Sequence, residues 1–510
     1  MKVNQLKTGV ILSYIQMGLG MIISIIYTPF MLRFLGQSEY GLYNISSSVI
    51  AYLSVLDFGF GSAYIRYYSK YNHSGESQKI YSLNGLFMTV FCSLGAIAFV
   101  CGILLAFNAK SLFGNGLNTE ELATIKVLML IMAFNMGISF PGSVFVSYIT
   151  ANERFVFQKL VNMIKTVFSP FVTLLVLFMG FRSIGMTLVV TFFSLITNFI
   201  NIFYCRKKLK MCFNFKKLDF SLFKEIASFS GFIAINLIVD EINWNVDKFL
   251  LARFQGSIAT AVYGVASTLN SYYRSISTSI TSVFTPRVHK IINSNTNNQE
   301  ISFLFTKVGR IQFMLLSLVW TGFIFFGKRF ILIWSGKSYS DAYYIVILLI
   351  VPVTFSLIQG LGIEIQRAKN MHRFRSIAYG IMAIINVGIS IPLCIHFSGV
   401  GVAAGTAISI IVGNIIIMNW YYYKKIGLDI PFFWKNIFKA IRGMIIPCMF
   451  GILITEKTLQ CDLLFYIVLI LIFVLVYVSS VYIISMNDFE KGLIKSFFNK
   501  LRLISVKARG

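Results

Sequence analysis

SLNGLFMTVFCSLGAIAFVCGILLAF, residues 82–107, contains no charged side chain. As a helix rising 1.5 Å per residue it covers roughly 39 Å, more than the ~30 Å hydrocarbon core of a bilayer. Backbone amides in lipid must be satisfied within the segment, and a run this long exceeds a barrel strand, so it reads as a transmembrane helix. The rest of the chain repeats the pattern. Apolar runs of spanning length lie near 9–31, 40–63, 82–107, 122–147, 158–180, 184–204, 225–246, 258–284, 303–326, 341–363, 377–397, 400–422, 437–455 and 462–485, about fourteen in all. The expected fold class is all-α, polytopic and membrane-embedded.

Composition agrees. Of the 510 residues 57% are hydrophobic and only 13% charged, against about 25% charged in soluble domains. The formal net charge is nevertheless +26, so the cations sit between the apolar runs. Lys and Arg are roughly threefold more frequent at the two ends and in the even-numbered connections than in the odd-numbered ones, which places both termini in the cytoplasm. The densest clusters are Arg206, Lys207, Lys208, Lys210, Lys216 and Lys217, and the tail from Lys491 to Arg509. They read as topogenic and anionic-lipid contacts rather than a nucleic-acid surface, since no soluble domain presents one. Met1 to Lys7 leads into a full span with no small-residue cleavage site, so the first helix is expected to remain uncleaved. The seven cysteines, Cys461 among them, form neither a disulfide framework nor a CxxC metal site.

An internal repeat supplies the domain organisation. Arg33-Phe34-Leu35-Gly36 with Tyr43 matches Arg253-Phe254-Gln255-Gly256 with Tyr263 at a constant offset, and Lys70 matches Lys290. The copies lie between runs 1 and 2 and between runs 7 and 8. A shift of six helices preserves orientation, which implies two six-helix lobes in parallel pseudo-two-fold relation, 1–210 and 211–430, followed by two extra helices and a basic cytoplasmic tail, 431–510. Gly36 and Gly256 suit tight extracytoplasmic turns, and the Arg and Tyr suit the headgroup boundary, so these residues serve architecture.

PFMLRFLGQSEYGLY (29–43), followed by Leu56-Asp57-Phe58-Gly59 and Arg66-Tyr67, resembles the start of the polysaccharide-biosynthesis flippases that handle O-antigen and capsule repeat units. Val246-Asp247-Lys248-Phe249-Leu250-Leu251, through Gly256 and Tyr263, is similar to that family's second-lobe signature. The larger group is the multidrug/oligosaccharidyl-lipid/polysaccharide exporter superfamily, which also holds lipid II flippases and multidrug extruders. The resemblance implies a bacterial inner-membrane transporter and not an enzyme. It would move undecaprenyl-diphosphate-linked oligosaccharide from the cytoplasmic to the outer leaflet by alternating access, as a monomer, among membrane lipids and beside polysaccharide polymerase and export machinery.

Charges at membrane depth are costly and usually face a cavity or a partner. The cations in this class are Arg274, Lys126, Lys165, Arg66, Lys307 and Arg310, suited to a diphosphate. Arg274 lies deepest, and an ion pair with Asp57 or Asp247 is the competing role. For Lys126, Lys165, Lys307 and Arg310 the alternative is snorkelling near a helix end, and for Arg66 it is anchoring at the cytoplasmic face. The acids are Asp57, Asp240, Glu241, Asp247 and Glu364, suited to a coupling proton or Na⁺. Asp240 and Glu241 are adjacent, so at most one lines a cavity, and Asp247 has Lys248 and Arg253 as alternative partners. Phe140-Pro141-Gly142-Ser143 and Gly360-Leu361-Gly362 are the hinge candidates, with static kinks as the alternative.

The competing functions are a lipid II flippase, a multidrug cation antiporter and, further off, a polytopic glycan polymerase or transferase. The last would need a concentrated catalytic constellation. The four histidines, His73, His289, His372 and His396, are dispersed, and neither a nucleotide-binding motif nor a metal or other cofactor motif is present.

Overall fold

The computed structural model describes residues 5–216, 220–294, 298–371, 373–460, 462–492 and 495–496. Lys217, His372, Cys461 and most of the basic tail lie outside the described residues. Described residues are helical with no strand: α1 Gln5–Ala51, α2 Phe60–His73, α3 Ser77–Phe107, α4 Ala109–Phe113, α5 Thr119–Ala151, α6 Phe155–Phe178, α7 Arg182–Lys207, α8 Phe220–Phe254, α9 Gly256–Asn293, α10 Asn298–Trp334, α11 Ala342–Leu357, α12 Gly360–Ala368, α13 Arg373–Ile410, α14 Asn419–Tyr421, α15 Ile430–Ile441, α16 Ile445–Gln460 and α17 Leu463–Ser480.

Among the described residues nine helices are long and apolar enough to cross a bilayer, or up to ten if α11 and α12, bent by 40°, form one span. This differs from fourteen equivalent runs for physical reasons. The stretch Thr8–His73 counts once, although its 66 residues would extend about 99 Å as one helix, some three times the hydrocarbon core. Gly36 breaks it at φ 76° and ψ 174°, dividing it into two spanning lengths. Arg373–Ile426 is likewise interrupted at Ser398, φ 51°. α8 and α9, of 35 and 38 residues, have the length but are absent from the nine. In α9 the cause is visible: Ser271, Ser275, Ser277, Thr278, Ser279, Thr281 and Ser282 dilute its apolar face.

The chain forms two compact units. The first comprises Met1–Gly264 with Val387–Val402, and the second Val265–Asn386 with Ala403–Gly510. In the first, α3 packs on α5, α1 on α6, and α7 on both α5 and α6. Lipid-embedded helices gain little from apolar burial against one another, so close approach of small residues supplies the contact. Gly95 faces the carbonyl of Gly137, and Gly102 faces Ala133, both across the α3–α5 seam. Gly142 lies against Asn198, and Pro141 sits inside a continuous α5, so this hinge candidate is a packed position. Tyr64, Phe91 and Phe113 are fully buried in this core. Glu39 of α1 accepts from the Ser183 backbone N–H at 3.3 Å and from the Ser183 hydroxyl, fixing the start of α7.

In the second unit α10 is the hub, packed on α11, α15 and α16. Gly309 admits Phe433 and the Ile358 carbonyl, and Gly451 admits the Phe325 ring. α11 and α12 break at Gly360, the other hinge candidate, where Gly362 faces the Tyr422 ring.

Candidate functional site

The second expected span, 40–63, is not a continuous helix. Its regular α-helix ends at Ala51, a 3₁₀ segment covers Tyr52–Asp57, and Phe58 and Gly59 are both left-handed, at φ 47° and φ 71°. A left-handed β-carbon costs about 1–2 kcal/mol, so packing must hold Phe58 there. The break lies deep in the bilayer. Leu53 comes within 3.5 Å of the β-position of Gly102, and the Phe60 ring centroid lies 6.3 Å from that of Phe91. Asp57 is therefore level with the stretch 91–102 of α3, the middle of its apolar run.

α8 packs against this 3₁₀ segment and brings two acids to it. Ser54 Oγ donates to Glu241 Oε1 at 3.4 Å, and Asn245 donates to the other carboxylate oxygen. Six residues along α8, Asp247 is 3% exposed and accepts from the Tyr263 hydroxyl of α9. Tyr52 sits in the field of both carboxylates, and Lys248 feels that of Asp247. Glu241 and Asp247 are thus brought together around Tyr52, whereas the neighbouring Asp240 is exposed. Oδ1 of Asp57 is enclosed, with no hydrogen-bond partner among the described residues. Glu364, in the second unit, pairs with Arg367 at 2.8 Å, one turn along α12.

The proposed cations separate by environment. Lys165 is half-buried on α6, ten positions beyond Phe155, about 15 Å along the helix, and has no hydrogen bond or ion pair among the described residues. Lys126 places its ammonium 3.9 Å from the Phe107 ring centroid, and Arg66 is exposed. In the second unit Arg274 is half-buried near the midpoint of α9. Lys307 lies over Phe489 at 3.1 Å. Arg310 is 4% exposed and fully engaged: Nε and Nη2 reach Glu490 at 2.8 and 3.0 Å, and Nη1 and Nη2 donate to the carbonyls of Asn436 and Ser485, both at 2.7 Å. That geometry spends the guanidinium on joining α10 to the C-terminal segment and leaves it no free edge for a diphosphate.

The repeat residues do structural work. Gly36 and Gly256 both adopt positive φ, 76° and 87°. Arg253 donates to the carbonyls of Ser111 and Leu112 at 3.0 and 2.7 Å, and Asp247 takes Tyr263 as its hydrogen-bond donor. Gly41 admits the backbone of Ser257, while Gly264 admits the side chain of Asn44. Sequence reasoning misses the group beside them. Glu121, which caps α5 with Asn118, also accepts from Ser38 at 2.8 Å and from Ser257. It misses Tyr52, Ser54 and Asn245 as well, because neutral polar residues inside apolar runs become partners for the acids only through the packing of α8.

Comparison with known proteins agrees with this architecture. The chain is 24% identical over 451 residues to the uncharacterized membrane protein EpsK of Bacillus subtilis (strain 168), covering 84% of this chain and 85% of that protein. The lipid II flippase MurJ in an inward closed conformation superposes with a TM-score of 0.71 at 18% identity, over 96% of this chain and 99% of that one. An inward-facing multidrug resistance transporter of the MATE family gives a TM-score of 0.66 at 12% identity, over 84% and 99%. The fold is that of multi-pass membrane transporters and flippases. The family described as "Polysaccharide biosynthesis protein" matches residues 6–292, more than half of the 510, and the chain belongs to that family.

Proposed function

We propose that this protein is a flippase for undecaprenyl-diphosphate-linked oligosaccharide, carrying the headgroup from the cytoplasmic to the outer leaflet of a bacterial inner membrane by alternating access, with both termini cytoplasmic. Lys165 carries the proposal. A half-buried ammonium about 15 Å into α6, with no ion-pair partner among the described residues, is costly in a membrane unless an anion visits it. A diphosphate is such an anion. Cationic drugs would be repelled by the same group, which disfavours a multidrug antiporter.

Membership of the polysaccharide biosynthesis family supports the glycan class of cargo, and the flippase-like fold supports movement between leaflets. Glu241 and Asp247 around Tyr52 supply a polar region in the first unit suited to hydroxyl-rich sugars. Transport is driven by an ion or by the membrane potential, with the acids of the first unit as the coupling groups.

The test is surface polysaccharide in a deletion strain complemented with wild type, Lys165→Arg or Lys165→Glu. Wild type and Lys165→Arg restore it, whereas Lys165→Glu falls at least tenfold at equal membrane abundance. Full restoration by Lys165→Glu would remove the diphosphate contact. Arrested growth of the deletion strain with surface polysaccharide intact would assign the protein to lipid II instead.

A further inference from the structure

We propose that the groove between α3, α5 and α7 is a docking site for one anionic glycerophospholipid, with Lys126 at its phosphate and an acyl chain in the cavity beside it. The inference concerns the first unit alone and does not depend on the cargo.

A cavity of about 560 Å³ opens between these three helices. It is lined by Leu130, Leu188, Phe192 and Leu195, and by Phe99 and Phe134, whose rings meet edge to face at 6.3 Å. Phe134, Leu188 and Phe192 are exposed on helices apolar enough to cross a bilayer, so the groove faces lipid. The one hydroxyl of its lining, on Thr191, donates to the Thr187 carbonyl at 2.9 Å. The lining therefore offers no free group to hydrogen-bond a sugar or a polar drug. It accepts hydrocarbon.

Lys126 marks one end of this groove. Leu130 and Phe134 follow it at i+4 and i+8 on α5, so the three share a helix face and span about 12 Å. That length is within one leaflet, half of the ~30 Å core. Lys126 lies seven positions into α5, nearer the headgroups than Leu130, and in the orientation proposed above this is the outer leaflet. Its ammonium is 3.9 Å from the Phe107 ring centroid, a cation–π contact that draws it toward α3. It is half-buried and has no ion pair among the described residues. The nearest acid in sequence, Glu121, is taken by Asn118, Ser38 and Ser257.

A cation at the headgroup end of an apolar slot one leaflet deep is complementary to an amphiphile of phosphate and chain. The cavity has room for an acyl chain, whereas the much longer polyprenyl chain of the proposed cargo would overfill it. The occupant is therefore a glycerophospholipid of net negative charge.

Phosphatidylglycerol and phosphatidylcholine carrying the same diazirine-bearing acyl chain, in vesicles with the purified full chain, read the site by photolabelling and peptide mass spectrometry. Phosphatidylglycerol should label the α5 and α7 groove peptides about fivefold more than phosphatidylcholine, the factor given by roughly 1 kcal/mol per lysine near an anionic surface. At Leu471 and Leu475 of α17, exposed in a run without cations, the two lipids should label equally. Lys126→Gln should bring the groove ratio to equality, and Lys126→Arg should keep it. Equal groove labelling by both lipids in wild type, or a preference that survives Lys126→Gln, overturns the proposal. Displacement of the label by polyprenyl phosphate but not by unlabelled phosphatidylglycerol would assign the groove to a polyprenyl chain and also overturns it.

Discussion

Arg310 and Glu490, 180 positions apart, form a bidentate ion pair in which both side chains are almost completely buried. The Asn487 backbone N–H donates to the same carboxylate, and two carbonyls take the remaining guanidinium edge. Removing one partner of a buried pair leaves an uncompensated charge, at a cost of about 3–5 kcal/mol. Glu490→Ala should therefore lower the midpoint of thermal unfolding in detergent sharply, while the double variant Arg310→Met/Glu490→Met recovers most of the loss. An unchanged midpoint in Glu490→Ala would show that the pair does not hold the C-terminal segment to α10.

Glu121 ties Ser38 to Ser257, so it joins the two copies of the internal repeat. A charge-assisted hydrogen bond contributes about 1.5–3 kcal/mol. Glu121→Ala should lower the unfolding stability in detergent by about 1.5–3 kcal/mol. An unchanged unfolding midpoint without Glu121 would mean that the contact holds nothing together.

Gly102 meets Ala133 across the α3–α5 seam with no room for a side chain. Overpacking a well-packed core costs about 1–3 kcal/mol. Gly102→Leu should reduce folded yield and unfolding temperature, whereas Gly388→Ala, where nothing lies within 4 Å, should be close to neutral. Similar yields for the two would contradict the assigned seam.

Gly36 and Gly256 have positive φ at equivalent places in the repeat, yet their surroundings differ. A β-carbon on Gly36 meets nothing within 4 Å, while one on Gly256 meets the Gly116 carbonyl at 2.6 Å. Gly36, at ψ 174°, lies in an extended positive-φ region essentially reserved for glycine, so Gly36→Ala should cost about 1–3 kcal/mol from backbone strain alone, and Gly256→Ala more. Unfolding curves that rank them the other way would undo the steric account.

How far the sequence reveals these features depends on the range over which each is encoded. Apolar length places the helices because lipid demands internal hydrogen bonding, and the repeat locates two positive-φ glycines because only a residue without a β-carbon suits that turn. The interruption at Phe58 is not legible in LDFG. Phe58 is a poor left-handed residue, and its conformation is set by the packing of Leu53 and Phe60 on α3. Arg310 and Lys165 look alike in sequence as cations in or beside apolar runs. Only folding brings Glu490 to the first and leaves the second without an ion pair among the described residues. Neutral partners such as Ser54, Asn245 and Tyr263 acquire meaning only once α8 lies against the broken helix.

Movement of a polyprenyl-diphosphate-linked oligosaccharide across vesicles containing the purified protein tests the central claim most directly. The readout is the fraction of cargo open to a membrane-impermeant glycosidase. Wild type and Lys165→Arg should expose the inner-leaflet pool, and Lys165→Glu should keep less than a tenth of that rate with its fold intact. Cargo that stays half protected with wild type, or equal rates in wild type and Lys165→Glu, would contradict the account.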